Sequence, residues 1–61
     1  MSLNTLPKDP MMLLSYVNTQ LRDNFGDLEE LCAALNADIN IITGSLRAID
    51  YVYDAELNKF V

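Results

Sequence analysis

Residues 27–49, DLEELCAALNADINIITGSLRAI, decide the fold. Leu28, Leu31, Cys32 and Leu35 recur at intervals of three and four, which sets them on one face of a helix. Asp27 and Glu30 stand in capping-box relation, with Asp in place of Ser or Thr, so that helix starts at Asp27. Asn36-Ala37 supplies a turn, because Asn tolerates left-handed backbone, and Asp38 caps the next element. Beyond it, 39–43 has two readings. Ile39, Ile41, Ile42 and Thr43 are β-branched and Gly44 costs a helix interior about 1 kcal/mol against Ala, which suits a strand at 39–43 turning at Gly44-Ser45. Ile39, Ile42, Leu46 and Ile49 nevertheless repeat at helical spacing behind a good cap, and the preceding helix needs a partner face. The favoured reading is therefore a helix-turn-helix, with Cys32 as the small residue where the two helices cross.

Upstream, Asp9 is an N-cap and Pro10 fits the first helical position, where its missing N–H is not needed. Leu13, Leu14, Val17 and Leu21 form the stripe of a helix running from about 10 to 23, ended by Asn24-Phe25-Gly26 with Gly26 free to turn left-handed. Ser15, Asn18, Thr19, Arg22 and Asp23 cover its polar face. Met11, Met12 and Tyr16 lie off the stripe. Either the N-terminal arm or the C-terminal segment covers them, or they form a partner surface, since Met and Tyr are adaptable contact residues. Arg22 likewise reads as a solvated cation paired with an acid or as part of a polar docking patch beside Met12 and Tyr16. Residues 1–8 read as an arm, because Asn4, Thr5 and Pro7 favour extended or turn backbone. Met1-Ser2-Leu3 reads as either a cloning leader or native sequence.

After Asp50 the period changes. Tyr51-Val52-Tyr53 and Lys59-Phe60-Val61 suit strands, and 54–58 holds turn formers, with Asn58 able to take a left-handed position. A hairpin this small is marginal alone, so it should lie on the helices. The whole then has the outline of a minimal winged helix: mainly α, three helices and a short C-terminal β-hairpin. If the third helix entered a major groove, Asn40, Thr43, Gly44 and Arg47 would face outward, and Asn40 and Arg47 would be the candidate nucleic-acid contacts. The charge argues against that use. The quoted stretch carries four acidic residues and one basic one, the chain has net charge −5, and the hairpin turn brings Asp54 and Glu56 where a wing usually brings cations.

Sixty-one residues make one domain at most, with little core, so stability calls for disulfides, a metal, a partner or idealised packing. Cys32 is the only cysteine and there is no histidine, so an internal disulfide and a zinc cage are both excluded. A hydrophobic fraction of 51% hints at a self-association surface. Catalysis has little support: no histidine serves as base, Cys32 sits on an apolar stripe, and Glu29 and Glu30 point apart at a helix start. Neither of the two glycines, Gly26 and Gly44, belongs to a phosphate loop. Asp50, Asp54 and Glu56 are too few and too spread for a metal site. The sequence shows no leader and no apolar run near the ~20 residues a bilayer needs, which with a lone thiol fits a reducing cytoplasm.

The stretch LPKDPMMLLSYVNTQLRDNFGDLEELC, followed by the ending IDYVYDAELNKFV, resembles a family of short bacterial proteins described only as a domain of unknown function. The particular marks are Leu6-Pro7-Lys8-Asp9-Pro10, Leu13-Leu14-Ser15, Val17-Asn18, Leu21-Arg22-Asp23 and the closing segment from Tyr51 to Phe60. The resemblance implies a compact, stand-alone cytoplasmic protein and favours helix at 39–48, although Gly44 and the Ile run depart from its pattern. It brings no activity and no site residues.

The expectation is thus an arm at 1–8 and one small helical domain at 9–61. It is a non-enzymatic protein–protein interaction module that pairs with a second copy or docks on another protein, with Met11, Met12, Tyr16 and Arg22 as candidate partner surface. No cofactor, metal or membrane is expected. The alternative is a transcription-associated module binding DNA through Asn40 and Arg47.

Overall fold

Each helix begins where an aspartate takes a backbone N–H. Asp9 accepts from the amide of Met12, Asp27 from Glu30 and Asp38 from Asn40. These caps open α1 (Pro10–Asp23), α2 (Leu28–Leu35) and α3 (Ile39–Arg47), and an antiparallel hairpin of β1 (Tyr53–Asp54) and β2 (Lys59–Phe60) follows. The computed structural model describes residues 6–61. Residues 1–5 of the arm expected at 1–8, with the leader reading at 1–3, lie outside the described residues. Leu6, the first described arm residue, packs against the core.

Ile39–Arg47 is helix, so the strand alternative at 39–43 is set aside. The Ile run serves packing: Ile42 is fully buried with Leu46, and Ile39 packs beside them. Thr43 bonds its hydroxyl back to the Ile39 carbonyl at 2.9 Å, a local bond that lets a β-branched polar residue sit in a helix. The core combines Leu13, Leu14, Val17 and Leu21 of α1 with Leu28, Leu31 and Cys32 of α2, Ile42 and Leu46 of α3, and Phe60 of β2. Leu35 is half-buried at its edge, and Ile49, expected on the third helix, lies just past its end but still packs inward.

The helix ends differ from expectation in two respects. α2 closes on Asn36, left-handed at φ 53°, with the Ala37 amide reaching the Cys32 carbonyl at 2.9 Å. α3 closes the same way on Asp50, at φ 68°, with the Tyr51 amide on the Leu46 carbonyl. Gly26, expected to turn left-handed, does not. The amides of Asn24 and Phe25 both reach the Gln20 carbonyl, so α1 closes without a positive φ. The capping box is also shifted by one residue, since the Glu30 carboxylate accepts from the amide of Gly26 rather than Asp27.

The hairpin register pairs Tyr53 with Phe60 and Asp54 with Lys59. Val52 and Val61 extend it, each amide donating to the other's carbonyl at 3.0 and 2.9 Å. Tyr51, expected in the first strand, is outside the ladder because its amide ends α3. Asn58 takes the left-handed position foreseen for it, at φ 54°. Its Nδ2 donates to the carbonyls of Leu21 and Phe25 at 3.1 and 3.0 Å, and its Oδ1 accepts from the Tyr53 hydroxyl at 2.7 Å. One side chain therefore shapes the turn and ties it to the end of α1.

Candidate interaction site: the cleft between α3 and the hairpin

The hairpin's two edges are unlike. Val52–Val61 is a hydrogen-bonded pair, so in the next pair the N–H and C=O of Tyr53 and of Phe60 point outward, away from the opposite strand. On the β2 side an amide from α1 meets them: Phe60 N–H donates to Asn18 Oδ1 at 2.8 Å, and Asn18 Nδ2 donates to the Phe60 carbonyl at 3.2 Å. Asn18 stands where a third strand would. It is half-buried rather than on the solvated face that helical periodicity assigns to it. On the β1 side, the Tyr53 amide and carbonyl have no hydrogen-bond partner among the described residues.

A cleft of about 440 Å³ runs between α3 and β1. Asn40, Thr43, Gly44 and Arg47 form its α3 wall, Tyr51, Val52 and Tyr53 the opposite wall, and buried Phe60 contributes apolar floor. Asn40 and Arg47, seven residues apart, are thereby brought to one place. Both are exposed, and neither side chain has a hydrogen-bond or ion-pair partner among the described residues. Thr43 is half-buried with its hydroxyl turned to the helix backbone, so it offers the cleft mainly its methyl group. Gly44 leaves bare backbone in the wall; nothing lies within 4 Å of where a Cβ would stand.

The other candidates do not converge. Met11 and Met12 are 55% and 63% exposed at the start of α1, whereas Tyr16 is half-buried against the core. Arg22 lies further along α1, bonded to its neighbour Asp23 at 2.9 and 3.0 Å. That hydrogen-bonded pairing raises the guanidinium's pKa and lowers the carboxyl's, at a fully exposed position where such a pair contributes little to stability. Cys32 is 7% exposed, and its thiol pKa is raised by burial first and by the nearby Asp38 charge second. A thiol so placed is a poor nucleophile at neutral pH. Among the described residues, no three His, Cys, Asp or Glu side chains gather to hold a metal ion, and no helix is long and apolar enough to cross a membrane.

Sequence reasoning missed Asn18 and the open Tyr53 edge. Asn is a mediocre helix former, and its place four residues after Leu14 and three before Leu21, at the border of the apolar stripe, was the available signal for Asn18. The edge follows only from strand register, which the sequence left one to two residues out.

The chain belongs to a family described only as a domain of unknown function (DUF4250), whose model matches residues 7–60. No curated protein and no solved structure matches it.

Proposed function

We propose that this member of the family is a non-enzymatic interaction module of the bacterial cytoplasm, holding an extended protein segment along β1 in the cleft beside α3. The observation that carries the reading is the contrast between the edges: β2 is closed by Asn18, while β1 presents the amide and carbonyl of Tyr53 without partners. An open strand edge is a template for another chain, and main-chain hydrogen bonds supply the contact. The polar heads of Asn40 and Arg47 and the bare backbone at Gly44 fit a groove for such a segment. The residue inventory supports the absence of catalysis, since there is no histidine and the one thiol is buried. The aspartates at 9, 27, 38 and 54 are occupied with backbone amides. Met11 and Met12 form a second exposed apolar place, on α1.

Blocking the cleft tests the reading. Gly44→Trp fills the wall where open space receives it, so the fold should persist. A protein, foreign or identical, that is retained by the wild-type chain and lost by the Gly44→Trp chain supports the module. Equal retention by both overturns it.

DNA binding is the second reading, favoured by the convergence of Asn40 and Arg47 on one cleft. Asp54 at the end of β1 and Glu56 in the turn after it oppose it, as does the net charge of −5. Anisotropy of a labelled random duplex at low and moderate salt decides between the two. Binding that weakens steeply with salt and is lost in Arg47→Ala would establish it.

A further inference from the structure

We infer that the segment received along β1 is the β1 strand of a second copy of this chain, making a two-fold, four-stranded antiparallel sheet; this rests on the interaction reading above. Tyr53 is the strand position with both outward backbone groups open. A two-fold axis at that residue satisfies both at once, because the amide of each Tyr53 meets the carbonyl of the other. Isologous pairing of this kind needs no second complementary surface.

Charge agrees with the geometry. Antiparallel pairing centred on Tyr53 sets Tyr51 of one copy opposite Ala55 of the other. Arg47, which lines the cleft beside Tyr51, then meets the turn that follows β1 of the second copy, and that turn carries Glu56. Neither Arg47 nor Glu56 has an ion-pair partner among the described residues. Asp54 is already engaged, its Oδ1 accepting from the amides of Glu56 and Leu57 at 2.9 and 3.2 Å, which leaves Glu56 as the carboxylate free to cross. The arrangement also accounts for Gly44: a side chain there would stand where the incoming strand runs. Finally, Asn18 closes the outer β2 edges, so the sheet stops at four strands instead of growing into a fibre.

Sedimentation equilibrium of the full chain, from micromolar to millimolar, tests this together with Arg47→Glu, Glu56→Arg, the combined variant and Gly44→Trp. Thermal melts confirm that each remains folded. The expected result is a wild-type dimer, each charge reversal weakening it by about tenfold, restoration in the combined variant, and a folded monomer for Gly44→Trp. A wild-type chain that stays monomeric to millimolar overturns the inference, as does a dimer indifferent to both charge reversals and to Gly44→Trp. Were the monomeric wild type still to retain a foreign protein that Gly44→Trp loses, the interaction reading would stand and the second copy alone would fall.

Discussion

Asn18 is the residue on which the hairpin depends most directly. Its amide carries a donor, Nδ2, and an acceptor, Oδ1, side by side on Cγ, the same kind of pair a strand residue offers, and it meets both open groups of Phe60. Asn18→Ala should destabilise the chain by about 2 kcal/mol, since two backbone groups beside a buried side chain lose their partners. A urea titration reads this directly, with Arg22→Ala, at an exposed pair, leaving the midpoint unchanged. Cys32 makes a different prediction. Its folded pKa is raised, so the core favours the protonated thiol. That preference holds below the unfolded thiol's ordinary value of 9.0 and is lost as pH climbs from there through the folded value. Stability measured at about pH 8 and about pH 10 should fall more for wild type than for Cys32→Ala. The burial of Cys32 was legible from its stripe. The role of Asn18 was not, because helical angle places a residue only relative to its own helix, and its partner lies 42 positions away.

At the scale of elements, α3 sets local preference against tertiary need. Its β-branched residues and Gly44 weaken it as an isolated helix, yet Ile42 and Leu46 are fully buried and hold it in place. Gly44→Ala should stabilise the monomer by about 1 kcal/mol, because the added methyl meets open space and removes the glycine's backbone freedom. A thermal melt checks it, and destabilisation would show that the backbone there cannot accept a side chain. All three helices and their aspartate caps were readable in sequence, since stripes and caps are local patterns. The terminators were readable in part. Asn36 and Asn58 turn left-handed as their amides allow, but the third such turn falls at Asp50 instead of Gly26. What placed it there is the need to aim Tyr51 out of α3 and into the hairpin, a matter of where the next element lies.

Over the whole molecule, the last element is fastened to the first. Asn18 and Asn58 join α1 and the hairpin through bonds spanning 42, 37 and 33 positions, and Phe60 inserts into the core between the helices. The candidate cleft is a product of that docking, made by the placing of β1 beside α3. It was therefore the part least visible in sequence: Asn40 and Arg47 could be named from one helix, but the wall opposite them and its open edge required the assembled chain. The unlike edges of the hairpin also run on unlike clocks. The Phe60 amide, held by a side chain of α1, should give up its hydrogen to solvent only when α1 and the hairpin part, close to the free energy of global unfolding. The Tyr53 amide, one rung across, should exchange almost at once in dilute solution, and slow as the chain is concentrated. Two neighbouring amides would then record separate events, one the integrity of the molecule and the other the arrival of company at its open side.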